Sequence, residues 1–182
     1  MAKGWILLGR YENFPEVIHG VVRFTCESSI REVQQTILPA LHSLNHEVCS
    51  LRAVTLHLPQ ECEVSFELGV AEDFDFNFLD EKELDRFQRS IVEKELPILD
   101  FFFVLRYHVV NDDGKRVPLK FDYHMLRFMF QENSIELRIC HERGTQRVPL
   151  EDLVTLIVER INEELSQRQL ESLNLEFLRL LY

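Results

Sequence analysis

The strict alternation of residues 62–70 is the sequence feature that most limits how this chain can fold. Polar residues or glycine separate its apolar positions, which are Cys62, Val64, Phe66, Leu68 and Val70. Because successive side chains of a β-strand point to opposite faces, the alternation predicts a strand with one buried face and one acidic, solvated face. The buried face of a sheet made from such strands must be covered by other elements of the chain.

Helical periodicity predicts the first of these covering elements. Ser29 and Glu32 fit a capping box, and the apolar residues that follow recur at helical spacing as far as Leu44. Pro39 lies inside this helix. Because proline removes one backbone hydrogen bond and clashes with the preceding turn, we expect a kink or an early end there.

Two further helices and eight strands complete the predicted fold. The second helix begins at Asp80 and ends before Pro97, and the last long helix begins at Pro149. The strands are predicted over residues 5–9, 17–25, 51–58, 62–70, 101–110, 117–123, 126–130 and 135–140. The order ββαββαββββα contains no strand–helix–strand repeat. We therefore expect an α+β fold, a mainly antiparallel sheet of hairpins with helices on one face.

The chain length is typical of one domain, and we expect a single domain over residues 1–182. A chain of this size buries roughly 70% of the surface that its unfolded form exposes, so its core needs no disulfide or metal. The sequence has six glycines and no phosphate-binding loop motif, which argues against a nucleotide-loop enzyme.

The acidic charge is concentrated in one segment. The net charge is −11, and residues 61–100 contain thirteen acidic and four basic residues. Such a surface repels nucleic acid and attracts basic partners. We therefore expect no direct nucleic-acid binding, and a basic protein is a candidate partner. The predicted acidic face consists of Glu61, Glu63, Glu67, Asp73 and Asp75.

The cysteines and the N-terminal residues indicate a compartment. The four cysteines are widely spaced, unlike the dense disulfide frameworks of small secreted domains. The first ten residues lack the apolar stretch of a signal peptide, and no run approaches the ~20 apolar residues of a membrane span. We expect a cytoplasmic protein with reduced thiols and no membrane association.

The last thirteen residues are unusually apolar for a chain terminus. After a break near Gln169, four apolar residues fall at helical spacing and two more widen the ridge; these are Leu170, Leu173, Phe177 and Leu181, with Leu178 and Tyr182. We predict that residues 169–182 form a helix through which the protein makes a homodimer. The alternative is that this segment packs on the core of its own subunit.

No motif in the sequence establishes catalysis, and we expect no metal or other cofactor. Asp73, Asp75 and Asn77 have the spacing of the first half of an EF-hand loop, but Phe78 stands where that loop needs glycine and Leu84 where it needs glutamate. Alternation explains these residues more simply, as a strand. The His and Cys spacings also do not give two ligand pairs for zinc, and no serine lies in a nucleophile elbow.

Three functional hypotheses follow. The first is a non-enzymatic association protein that self-associates through an apolar C-terminal helix and presents the acidic face to a partner. The second is a small metal-dependent hydrolase or phosphoesterase that uses the acids near Asp73 and Asp75. The third is a pocket for an apolar ligand beneath the phenylalanine-rich sheet, which draws on the fourteen phenylalanines of the chain.

Overall fold

The computed structural model describes residues 7–45, 47–54 and 62–181. These residues form an α+β fold, as predicted. The elements in chain order are β1 (Leu7–Arg10), β2 (Gly20–Thr25), α1 (Ile30–Leu44), β3 (Val48–Ser50), α2 (Leu51–Val54), β4 (Cys62–Glu72), β5 (Asp75–Phe78), α3 (Glu81–Glu93), β6 (Ile98–Val110), β7 (Arg116–Gln131), β8 (Ser134–Gly144), α4 (Leu150–Gln167) and β9 (Asn174–Leu180).

All described strands belong to one antiparallel sheet. The strand order is β1-β5-β4-β6-β7-β8-β2-β9, and β3 adds to β4. The long hairpin of β6 and β7 forms the centre, and β9 lies at one edge beside β2. The predicted meander of the second half of the chain is therefore confirmed.

The helices cover one face of the sheet. Helix α1 packs between α3 and α4 and also contacts β4. The alternating apolar residues of β4, including Phe66 and Leu68, are fully buried beneath the helices together with Phe101 and Phe103 of β6. The apolar face predicted for residues 62–70 is therefore the face that packs in the core.

The predicted capping box of α1 is present, but Pro39 does not end the helix. Ser29 Oγ accepts the backbone N–H of Glu32, and Glu32 accepts the backbone N–H of Ser29. The carbonyl of Gln35, which the missing N–H of Pro39 would otherwise have bonded, instead accepts Gln88 Nε2 of α3 at 3.4 Å. Helix α1 continues to Leu44, and a neighbouring helix supplies a donor for the carbonyl that Pro39 cannot satisfy.

Two strand predictions differ from the structure. Leu51–Val54 forms one turn of helix, and the strand paired with β4 on that side is Val48–Ser50; residues 55–58 lie outside the described residues. The strands predicted over residues 117–123 and 126–130 form one continuous β7. The ladder between β7 and β8 continues because its register shifts after Tyr123, so that Glu142 is an extra residue in β8.

Among the described residues, no helix combines the length and apolarity that a membrane crossing requires.

Candidate interaction surface

The C-terminal segment forms a strand, so the prediction of a resumed helix is wrong. Helix α4 ends where Gln169 adopts a left-handed backbone conformation with φ of 58°. The next residues lead into β9, which pairs with β2 in antiparallel register, with Phe177 opposite Arg23. Helical spacing in so short a segment is a weak signal, and the free edge of β2 offers β9 the backbone partners that decide its conformation.

Of the six residues predicted for association, the five that the structure describes are divided between two environments. Leu173 is 6% exposed and belongs to the core, and Leu170 packs against that core. Phe177, Leu178 and Leu181 remain 45%, 40% and 37% exposed. Tyr182 lies outside the described residues. The segment is thus anchored on its own subunit through its first half and exposes apolar side chains through its second.

Strand β9 is an edge strand with a free row of backbone groups. Within the described part of the chain it pairs with β2 alone. Leu181 donates its N–H to His19 O at 2.8 Å, so by the alternation of an antiparallel ladder the N–H and C=O of Leu178 and Leu180 point away from β2. The register is regular from Phe177 to Leu180. This part of the edge is able to accept another strand.

Two residues of the predicted acidic face are paired with basic residues of their own sheet. Glu63 Oε2 lies 2.8 Å from Arg116 Nε and 3.3 Å from His108 Nε2. The hydrogen bond from Arg116 is the main reason that the pKa of Glu63 lies below its ordinary value. Glu67 Oε1 lies 3.1 Å from Arg106 Nε. Glu61 lies outside the described residues.

The remaining two acids are in a different place. Asp73 occupies the turn between β4 and β5 with φ of 53°, and Asp75 begins β5. At a rise of about 3.3 Å per strand residue, Asp73 and Glu63 are about 30 Å apart along the chain direction of β4. Residue Phe74 between the two aspartates is 76% exposed. The predicted acidic residues therefore form two separate groups.

The structure does not gather these acids with other ligating side chains. In residues 7–45, 47–54 and 62–181, no three His, Cys, Asp or Glu side chains lie close enough together to hold a metal ion. The four cysteines, Cys26, Cys49, Cys62 and Cys140, are free thiols.

The sequence suggested a pocket beneath the phenylalanine-rich sheet but identified none of its residues; the structure contains an aromatic cleft on the face of the sheet opposite the helices. The rings of Phe76 from β5, Phe102 from β6 and Tyr123 from β7 stack in a row, with 5.2 Å between neighbouring centroids. The segment that joins β1 to β2 crosses this face beside them and forms one wall. Phe102 and Tyr123 alternate with core residues of their strands, which was the available signal, but alternation alone does not show which outward side chains share a cleft.

The crossing segment is held in place by an ion pair between opposite residues of the neighbouring strands β6 and β7. Arg127 binds the carboxylate of Asp100 through Nε at 2.8 Å and Nη2 at 2.7 Å, and the hydroxyl of Tyr11 donates to the same carboxylate. Burial, reinforced by the Asp100 carboxylate, raises the pKa of Tyr11 to about 12. The Arg127 guanidinium also lies 4.6 Å from the ring centre of Phe14. Tyr11 and Phe14 are thereby fixed to the sheet.

A second missed cluster is buried on the helix-facing side of β7. Asp122, which is fully buried, accepts four hydrogen bonds, from the side chains of Tyr107 and His141 and from the backbone N–H groups of Gln146 and Arg147. Burial by itself would raise the pKa of Asp122, but these hydrogen bonds outweigh it and hold the pKa below its ordinary value.

Next to this carboxylate lies His124, whose ring is fully buried and 5.0 Å from that of His141. Burial lowers the pKa of His124 to about 4. With this pKa the side chain is neutral at pH 7 while it is enclosed in the fold.

Comparison of the chain with protein-family models, with curated proteins and with solved structures finds no match.

Proposed function

We propose that this chain is a non-enzymatic association protein that forms a homodimer by pairing β9 with β9 of a second copy. The observation that carries the proposal is the exposed, apolar edge strand. Every residue of β9 before Leu180 is exposed, and these include Leu175, Phe177 and Leu178. Edge strands of natural sheets are usually protected by lysine, proline or a covering element, and residues 177–181 contain neither of those residue types.

Antiparallel pairing of two β9 strands would satisfy the outward backbone groups of β9 and cover its exposed apolar side chains. The outward N–H and C=O groups of Leu178 and Leu180 would bond to the partner strand, which extends the sheet across a two-fold axis. Phe177, Leu178 and Leu181 would bury apolar surface against the second copy. Because only 37–45% of each side chain is exposed in the single copy, burying the rest contributes roughly 1 kcal/mol each, less than half of what full burial of an exposed side chain gives, before the entropic cost of association.

The charges of β9 favour the antiparallel arrangement. The strand carries one acid, Glu176, and one base, Arg179, on opposite sides of Leu178. Antiparallel pairing brings the end that carries Glu176 of one copy towards the end that carries Arg179 of the other. A parallel arrangement would align like charges, which is unfavourable.

Sedimentation velocity and light scattering on the full chain test the proposal. We expect a dimer at tens of micromolar, and a folded monomer for the double variant Phe177→Asp with Leu181→Asp. Val92→Asp is the matched control, because Val92 is 59% exposed on α3, far along the chain from β9. The control should remain dimeric. A full chain that is monomeric at tens of micromolar contradicts the proposal.

A backbone variant separates strand pairing from contact between side chains alone. Leu178→Pro removes an N–H that points away from β2, so the pairing of β9 with β2 keeps its hydrogen bonds. We expect this variant to dissociate the dimer. Leu178→Ala keeps the N–H and should weaken the dimer less than Leu178→Pro does. Equal dimerisation of Leu178→Pro and the unaltered chain would exclude pairing through this edge.

We further propose that the β4–β5 turn is the place where a basic partner binds. The exposed Phe74 lies between Asp73 and Asp75, and an aromatic side chain with flanking carboxylates suits a partner rich in arginine or lysine. A synthetic Lys- and Arg-rich peptide should bind the chain, and Asp73→Asn with Asp75→Asn should weaken that binding. Asp112→Asn with Asp113→Asn, in the exposed β6–β7 turn, is the control. Equal effects of the two double variants contradict this assignment.

We also propose a cytoplasmic location, which the four free thiols support because disulfides are rare in reducing compartments. Cell fractionation with an antibody to the protein tests it, and recovery from the medium or from a membrane fraction would contradict it.

A further inference from the structure

The aromatic cleft has the size and composition of a small-molecule site. Its volume is about 700 Å³, within the range of roughly 300–1,000 Å³ that ligand pockets occupy. Phe102, Tyr123 and Met125 line it from the sheet, and Phe76 and Tyr11 line it from one side. Phe76 and Met125 are almost completely buried, at 2% and 7% exposure.

The cleft is formed before any ligand arrives. Its wall is the chain segment that begins at Tyr11. Tyr11 donates a hydrogen bond to Asp100, and Asp100 also accepts hydrogen bonds from Nε and Nη2 of Arg127. Tyr11 also contacts Phe76 edge-on, with 4.9 Å between ring centres. Because the wall is already fixed, a ligand does not have to order it on binding, and this favours affinity.

The charged side chains of the cleft favour a cation. Glu12 and Glu142 both line it, and among the described lining residues Arg143 is the one basic side chain. The Arg143 guanidinium lies 5.1 Å from the ring centre of Tyr123, so that face of the ring is covered by a positive group of the protein itself. The two carboxylates leave the lining with net negative charge. Aromatic rings and carboxylates together are the groups that recognise organic cations.

We propose that this cleft binds a small organic cation, an amine carried on a compact aromatic or apolar body. The body lies against Phe102, Tyr123 and Met125, and the ammonium group faces Glu12 and Glu142. This binding does not depend on dimerisation, since β9 is separated from the strands of the cleft by β2 and contributes no lining residue.

A matched pair of probes tests the charge preference. 2-Naphthylmethylamine and 2-naphthoate share one aromatic body and differ in the sign of their charge at neutral pH. In calorimetric or fluorescence titrations, the amine should bind at least about tenfold more tightly than the carboxylate, a difference of about 1.4 kcal/mol. The preference should shrink as salt is raised. Equal or tighter binding of 2-naphthoate, or no saturable binding of the amine at millimolar concentration, overturns the proposal.

Two conservative changes locate the preference in this cleft. Glu12→Gln with Glu142→Gln keeps side-chain size and leaves Arg143 as the lining charge, so the double variant should bind 2-naphthoate at least as tightly as the amine. Glu132→Gln, in the β7–β8 turn and outside the cleft, is the matched control and should keep the preference for the amine. An unchanged preference in the double variant means that the amine binds elsewhere, and this also overturns the proposal.

The floor of the cleft is tested separately from its charge. Phe102→Leu removes the middle ring of the stacked row, so both probes should bind several-fold more weakly to this variant. The methyl resonance of Met125 should shift on addition of the amine, because Met125 lies in the floor. A titration that leaves this resonance unmoved while the amine saturates the protein places the ligand outside the cleft and contradicts the proposal.

Discussion

The carboxylate of Asp122 accepts a hydrogen bond of 2.5 Å from the hydroxyl of Tyr107. Both side chains lie in the core, where Tyr107 is 1% exposed and Asp122 is fully buried. The same carboxylate accepts the backbone N–H groups of Gln146 and Arg147, at 2.6 Å and 3.1 Å. These two residues belong to the connection between β8 and α4. Asp122 therefore joins two central strands to the start of the last helix.

Asp122→Asn should destabilise the fold strongly. Asparagine keeps the shape, but it replaces one acceptor oxygen with an N–H₂ group that faces donors in a site without water access. We expect a loss of about 2 to 4 kcal/mol in the free energy of unfolding, measured by urea denaturation. Asp113→Asn, in the exposed β6–β7 turn, should change it by less than about 0.5 kcal/mol. Similar losses for the two variants would refute this role of Asp122.

The free energy of unfolding should fall as the pH is lowered from about 6.5 towards 4. His124 has a pKa of about 4 in the folded chain and an ordinary value of 6.5, so within this window the unfolded state binds the extra proton. Burial is the main cause of the low pKa; the neighbouring His141 and His19 lower it further, and Asp122 acts in the opposite direction. The effect is limited to about 3 kcal/mol at 1.36 kcal/mol per pKa unit.

His124→Leu removes this titration and is the variant that identifies it. Urea denaturation at pH 7, 6, 5 and about 4.5 should show a smaller decline for His124→Leu than for the unaltered chain. The contribution of Asp122 is lost only below its ordinary pKa of 3.8, because its pKa in the folded chain is lowered, so it falls outside this window. Parallel declines in both proteins would show that His124 does not cause the pH dependence.

Gly144→Ala should be far more damaging than Gly114→Ala. Both glycines have positive φ, 123° for Gly144 and 75° for Gly114. A Cβ at Gly144 would lie 2.3 Å from Asp122 Oδ1 and from Phe121 O, whereas a Cβ at Gly114 meets nothing within 4 Å. We expect about 1 kcal/mol for Gly114→Ala and at least about 3 kcal/mol for Gly144→Ala, measured as the loss in unfolding free energy. Equal losses would mean that the approach of Asp122 is not what requires glycine.

The two halves of the C-terminal segment should respond differently to truncation. Leu173→Ala opens a cavity in the core and should cost about 2 to 4 kcal/mol of unfolding free energy. Leu178→Ala removes a side chain that is 40% exposed on β9 and should cost less than about 1.5 kcal/mol. Urea denaturation at a concentration below that of dimer formation measures both. A larger loss for Leu178→Ala would contradict the division of this segment into an anchored half and an exposed half.

Periodicity predicted the elements whose burial pattern is regular. Residues 62–70 alternate along their whole length, and the structure places β4 there with its apolar residues inward. Ser29 and Glu32 predicted the start of α1 because a capping box is formed by residues only three positions apart. Such features depend on local geometry and on one buried face, and a single sequence contains both.

Short segments were harder to predict because two conformations fit them. The spacing of Leu170, Leu173, Phe177 and Leu181 fits a helix, yet residues 174–180 form a strand because β2 has a free edge beside them. At Pro39, where a kink or an early end was expected, α1 continues to Leu44, and Gln88 of α3 bonds the carbonyl that proline leaves free. In both cases the segment has a partner far away in the chain.

The sequence by itself determined the α+β class, the three long helices, and the alternation of apolar residues in β4. The tertiary structure alone decided the strand order, the pairing of Glu63 with Arg116, the cleft beside Tyr11 and the enclosure of His124. The physical reason is distance along the chain. Tyr11 and Asp100 are 89 positions apart and Glu63 and Arg116 are 53 apart, so local periodicity carries no information about which of these side chains meet.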